Sequence, residues 1–132
     1  NDKHFIFDLI RKIVNAKNGG DEVVLWGDGT QTRELIFIDD AVDIILQSMS
    51  PKTPKIINLS SGKPYKLKEY AQTICDIVDY DYNLIKWDTD AFVGSKNKKL
   101  INTHLKGYKF TSLKKGLTKT IKYYEDSISS SK

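Results

Sequence analysis

With a single cysteine the chain closes no internal disulfide. One thiol and two scattered histidines also supply neither a metal-ligand cluster nor a Cys/His nucleophile pair. Cys75 lies in a helical pattern with apolar neighbours and reads as a small core residue, because a reactive thiol needs exposure and a neighbour that lowers its pKa. No apolar run approaches the roughly 20 residues needed to cross a bilayer, and no basic-then-apolar stretch resembles a signal peptide. The expected setting is soluble and cytoplasmic, with no membrane partner. No strand-like run is followed by Gly-x-x-Gly-x-x-Gly or a Walker loop, so no segment is predicted to cradle a dinucleotide or a nucleoside triphosphate. There is no internal repeat or low-complexity linker, and one domain is the natural count.

What is present suits one modest core: 132 residues, 39% of them hydrophobic. The net charge of +4 comes mainly from lysines of the second half, among them Lys96, Lys98, Lys99, Lys114, Lys115, Lys119 and Lys122. They are spread over several elements without a basic-aromatic motif, so a solvated surface is favoured over a nucleic-acid face. A basic, non-enzymatic binding module stays open as the rival reading of another class.

Apolar residues recur at helical spacing from Ile6 to Val14, with Gly19-Gly20 as the stop. Glu22 to Trp26 reads as a strand, Gly27-Asp28-Gly29-Thr30 as a tight turn, and Glu34 to Ile38 as a second strand. Asp39-Asp40 then opens a helix carrying Ala41, Val42, Ile45, Leu46 and Met49. A third strand is predicted over Lys55 to Leu59, a helix from Leu67 to Val78, and a fourth strand over Asn83 to Trp87. Asp88 to Asn97 has loop composition, Ser112 caps a last helix to about Glu125, and Ser127 to Lys132 reads as a frayed tail. The domain is therefore drawn over 1–126, with 127–132 disordered, in an α/β arrangement of short strands.

The most unusual segment, Trp26 to Glu34 (WGDGTQTRE), places an aromatic plane at a strand end and a guanidinium seven residues later, across a glycine turn. Such groups suit a flat base and a diphosphate, since aromatic faces stack on bases and arginine's planar fork matches phosphate oxygens. A hairpin with a buried Trp and a surface Arg would give the same string.

Read together, His4 with the helix after it, WGDGTQTRE, FIDDAVDII, INLSSG, KEYAQTI, the Lys99 segment and LKGYKFTSLKKGL resemble the carboxyl-terminal region of GDP-L-fucose synthase-like extended short-chain dehydrogenase/reductases. The resemblance runs from about Asp2 to Glu125. It implies the substrate-binding part of an NADP(H)-dependent epimerase/reductase that makes a GDP-6-deoxy sugar from a GDP-4-keto-6-deoxy sugar. It also implies that NADP(H), and the Tyr-x-x-x-Lys pair, serine and proton-abstracting cysteine of the family, belong to a Rossmann half before Asn1. The piece by itself would then be inactive. The implied parent is a homodimer, and apolar faces parted from that half would invite self-association.

Position by position, the resemblance gives His4 the role of the acid that protonates the sugar carbanion, which an imidazole suits near neutral pH. It places Phe5, Leu9 and Lys12 on a helix face lining the nucleotide pocket, Leu25 and Trp26 against the base, Arg33 at the diphosphate, and Lys99 where a lysine closes over the substrate. Phe5 and Leu9 fit plain core positions equally well. The family loop Asp-Gly-Thr-Pro-Arg-Lys is replaced here by Val93 to Lys99 (VGSKNKK), which leaves the sugar open. Another nucleotide-sugar epimerase or 4,6-dehydratase is the alternative within the same fold.

Overall fold

The computed structural model describes residues 4–50, 52, 56–96 and 103–130. Helix α1 spans Phe5–Lys17 and buries Leu9, Ile10, Ile13 and Val14, the stripe expected from their spacing. Gly19, at φ +85°, turns the chain toward strand β1, Val24–Trp26. Strand β2 is Thr32–Glu34, followed by helix α2 at Ile38–Ser48. Strand β3, Pro64–Lys66, runs straight into helix α3, Leu67–Val78, which ends at Asp79 in the left-handed region. Strand β4 is Lys86–Asp88 and helix α4 is Leu113–Ser129. Short 3-10 turns occupy Tyr82–Leu84 and Thr103–Leu105.

The strands form two separate pairs. β1 lies parallel to β4, with Leu25 opposite Trp87, and β2 lies antiparallel to β3, with Arg33 opposite Tyr65. Helices α1, α3 and α4 close over them. Tyr70, Ala71, Ile74 and Cys75 of α3 meet the α1 stripe, Leu117 and Ile121 of α4, and Val23, Leu25 and Ile85 from the strand layer. Each of the fully buried Leu, Ile and Val side chains among them contributes about 1.5–3 kcal/mol of hydrophobic stabilisation. Cys75 is 1% exposed, a core residue as expected.

Four elements differ from the expectation. The second strand is Thr32–Glu34 rather than Glu34 to Ile38: pairing with β3 ends at Glu34, and Ile38 already opens α2. No strand forms over residues 56–59, because strand-like composition still needs a neighbouring ladder, and the described residues offer none there. β3 falls instead at Pro64–Lys66. The fourth strand begins at Lys86, because the Asp81 carboxylate accepts the Asn83 N–H at 2.9 Å and folds Tyr82–Leu84 into a turn. The final helix continues to Ser129, into the stretch expected to fray. There Ser129 and Ser130 donate to the carbonyls of Glu125 and Asp126 at 2.9 Å.

Candidate functional site

The turn after β1 is shaped by two glycines in the left-handed region, Gly27 at φ +85° and Gly29 at φ +74°. Between them the Asp28 carboxylate accepts the Thr30 hydroxyl at 2.6 Å and the Thr30 N–H at 2.9 Å, bonds that hold its pKa below the usual range. The Gln31 amide donates back to the Trp26 carbonyl at 3.0 Å, pinning the turn across its mouth. The turn therefore joins two strands that are not paired with each other and brings Trp26 and Arg33 to the wall of one cavity. Trp26 is not the buried tryptophan of an ordinary hairpin: it is 62% exposed and leaves its ring face available.

Arg33 sits on β2, which Tyr70 anchors by donating its hydroxyl to the Arg33 carbonyl at 3.0 Å. Burial pushes that phenol's pKa upward, so it stays a donor. Glu34, the next residue, accepts from the Ser60 hydroxyl and, at 2.8 Å, from the Gly62 N–H, tying β2 to the turn before β3. The Arg33 guanidinium donates to the carbonyls of Thr32, at 2.7 Å, and Ser95, at 3.0 Å. The loop after β4 is thus attached to this arginine.

Opposite the turn lies α1. Phe5, Leu9 and Lys12 occupy one face of it, and the Lys12 ammonium donates to the Val24 carbonyl of β1 at 3.2 Å. Asp8 bridges two cations, with Lys12 at 3.2 Å and Arg11 at 2.6 Å. Burial pushes the Asp8 carboxyl up, but the two cations together outweigh it and hold its pKa below the ordinary value. The same bond raises the Arg11 guanidinium.

These elements enclose a cavity of about 360 Å³ lined by Phe5, Leu9, Lys12, Leu25, Trp26 and Arg33, six of the seven binding residues expected from the sequence. Asp8, Arg11, Gln31, Leu67, Phe92 and Val93 complete the wall. Leu9 is core residue and wall at once, while Phe5 stacks edge-on to Tyr70 at 5.4 Å. His4 is exposed and not part of this lining; it stands at the N-terminus of α1, where its carbonyl accepts the Asp8 N–H at 3.1 Å. Lys99 lies outside the described residues.

Sequence reasoning missed Asp8, Arg11 and Gln31, although each was within reach. Gln31 belongs to the singled-out string, and Asp8 and Arg11 stand one turn and one residue from Lys12. Phe92 had no local signal, and Val93 stood out only as the first residue of the loop that replaces the family's; the fold brings both to the cavity.

Chemically, the described residues of the cavity offer three cations against one carboxylate, a flat aromatic face and an apolar floor, the furnishings of a base-plus-diphosphate ligand. A second, mainly apolar groove of about 430 Å³, walled in part by Ile6, Leu35, Phe37, Tyr65, Phe110 and Leu117, has a single cation in its lining, Lys63. No three His, Cys, Asp or Glu side chains among the described residues are grouped to hold a metal ion. A dinucleotide cradle requires a glycine-rich turn between a strand and a helix. Here the glycine turn after β1 leads to another strand, and β3 enters α3 without a glycine, so the described residues do not fit that group. No described helix is long and apolar enough to cross a membrane.

The NAD dependent epimerase/dehydratase family matches residues 1–60. The GDP-L-colitose synthase of Yersinia pseudotuberculosis is 33% identical over 130 residues, covering 94% of this chain and 42% of its own. The putative GDP-L-fucose synthase 2 of Arabidopsis thaliana is 32% identical, over 95% of this chain and 39% of its own. A crystal structure of a GDP-L-fucose synthetase from Naegleria fowleri bound to NADP superposes with a TM-score of 0.85 at 21% identity, covering 96% of this chain and 41% of that one. At that identity the likeness speaks for the fold. The chain thus spans about two fifths of the length of these relatives. On these matches the chain belongs to the NAD dependent epimerase/dehydratase family, as a segment of the extended short-chain dehydrogenase/reductase fold resembling GDP-L-fucose synthase.

Proposed function

We propose that the cavity between α1 and the β1–β2 turn binds the nucleoside diphosphate of a nucleotide sugar. On this reading the chain is the substrate-binding part of an NADP(H)-dependent epimerase/reductase acting on a GDP-4-keto-6-deoxy sugar. The observation that carries it is the convergence of Trp26, Arg33 and Lys12, drawn from three separate elements, on one cavity. Trp26 and Leu25 face the base, while Arg33, Lys12 and Arg11 face the diphosphate. Bound phosphate oxygens replace the carbonyls of Thr32 and Ser95 as the partners of Arg33, a better match for a guanidinium than neutral acceptors. The names of the colitose and fucose synthase relatives support GDP as the nucleotide.

In the full-length protein His4 acts as the acid that returns a proton to the sugar carbon, and Lys99 closes over the substrate. NADP(H) is held by residues outside this sequence, since those described here do not fit it. The 132 residues alone then hold a nucleotide without turning it over. A cytoplasmic homodimer is the expected state of the full-length protein.

The test is calorimetric titration of full-length protein carrying Arg33→Ala. Loss of a charge-assisted phosphate contact costs about 1.5–3 kcal/mol, roughly tenfold to a hundredfold in affinity. GDP-sugar binding should fall by that factor and NADPH binding by much less. Equal losses for both ligands sink the assignment, and a firm preference for UDP- or dTDP-sugars in the unsubstituted protein replaces GDP by a pyrimidine nucleotide.

A further inference from the structure

We propose that the side-chain amide of Gln31 recognises a hydrogen-bond donor on the nucleoside part of the ligand, making Gln31 a specificity-determining residue of this site. The inference rests on the nucleoside-diphosphate reading and deepens it. Gln31 is 6% exposed and lines the cavity beside Trp26. Its backbone is fixed, because the Gln31 carbonyl accepts the Leu67 N–H at 2.9 Å. Its amide is oriented as well: Nε2 donates to the Trp26 carbonyl at 3.0 Å, and the reverse orientation would set oxygen against oxygen.

That orientation leaves Oε1 buried with no hydrogen-bond partner among the described residues. A buried amide oxygen left unpaired keeps the full cost of losing water, and such an oxygen in a native fold calls for an explanation. An arriving N–H or O–H supplies one. The amide packs over Gly27, where a Cβ would stand 3.2 Å from Nε2, 3.3 Å from Oε1 and 2.5 Å from a Val93 methyl.

Two sources present such a donor, an N–H on the base and the ribose hydroxyls. A site built to hydrogen-bond a ligand donor discriminates strongly against ligands that lack it, because its own acceptor is then left unpaired.

Full-length protein, unsubstituted and as Gln31→Leu, is titrated with GDP, UDP and inorganic pyrophosphate. The expected result is about a tenfold or greater loss of nucleotide affinity in Gln31→Leu with pyrophosphate affinity unchanged. In the unsubstituted protein, the tighter-binding nucleotide is then compared with its base-N-methylated and 2′,3′-dideoxy analogues. A comparable loss with the first assigns the donor to the base, and with the second to the ribose.

Unchanged nucleotide affinity in Gln31→Leu overturns the role of Gln31 and leaves the nucleoside-diphosphate site standing. Parallel losses of nucleotide and pyrophosphate make Gln31 a merely structural residue and also overturn it. If the substituted protein does not fold, the analogue comparison decides: equal binding of both analogues overturns the proposal. Absence of any nucleoside-diphosphate binding in the unsubstituted protein removes the underlying reading with it.

Discussion

Gly29 carries the tightest conformational demand of the β1–β2 turn. At φ +74° an L side chain is strained by about 1–2 kcal/mol, and here a Cβ would also stand 2.7 Å from the Trp87 ring and 3.0 Å from the Lys68 Cβ. The Trp87 ring belongs to β4 and cannot swing away freely, so Gly29→Ala is expected to destabilise by about 2–3 kcal/mol. Urea unfolding followed by tryptophan fluorescence checks this, and an unchanged midpoint would contradict the tight packing of the turn against Trp87. Cys75 makes a different demand. Burial pushes its thiol up to about 11, above an ordinary value of 9.0, with Asp76 and Asp81 adding to the effect. The folded state thus holds this proton more tightly than the unfolded one. The resulting stability is fully present below about pH 9 and is lost as the pH rises through about 11. Alkylation by iodoacetamide at pH 8 is therefore expected to be slow in the native protein and fast in urea; rapid native labelling would mean that Cys75 is reached without unfolding.

At the scale of elements, α3 begins with half of a capping box. The Glu69 carboxylate accepts the Lys66 N–H at 2.7 Å, but an ammonium has no lone pair with which Lys66 could accept a backbone N–H in return. Lys66→Ser supplies that acceptor and is expected to stabilise by about 0.5–1 kcal/mol, read as a higher urea midpoint at unchanged slope. The absence of any gain would show that the β3–α3 junction is already fixed by its strand pairing. The helices were the legible part of this fold, since α1, α2, α3 and α4 each declare themselves by a repeating apolar stripe. The strands were not, because three-residue strands are too short for a period of two to show, and pairing is decided by partners distant in the chain. Thus the Lys55 to Leu59 run looks like a strand and its described part forms none, while Pro64–Lys66 pairs with β2 despite its proline. The site was legible where one string held it, Trp26 to Arg33, and where helical spacing plus resemblance pointed to Phe5, Leu9 and Lys12. Gln31's unpaired oxygen and the approach of Val93 are properties of the folded turn, and no spacing rule announces them.

At the scale of the whole molecule, the described residues fasten α2 on one side. The Asp40 carboxylate accepts the Thr111 N–H at 2.7 Å and the Thr111 hydroxyl at 2.9 Å, and Phe37 packs against Gly116 of α4, where a Cβ would stand 3.3 Å from its ring. On the other side Ile38, Val42, Ile45, Leu46 and Met49 repeat at helical spacing and are exposed, Leu46 to 62% and Met49 to 76%. A contiguous apolar face of this kind is uncommon on a stable monomer. With the relatives more than twice as long as this chain, two conditions separate what the face does. In the isolated 132 residues no described residue covers it, so a second copy is the expected cover and sedimentation velocity should show a mass that rises with concentration. Paired charges, Ile45→Glu with Leu46→Lys, should return the monomer without loss of helical circular dichroism. In full-length protein the same pair should lower the thermal midpoint by several degrees, because two charges then enter a covered face at a cost of a few kcal/mol. A monomeric isolated chain together with an indifferent full-length protein would make this face an ordinary solvated surface. Self-association of the isolated chain and destabilisation of the full-length protein, both reversed by restoring Ile45 and Leu46, would identify it as the face through which this segment joins the rest of its chain.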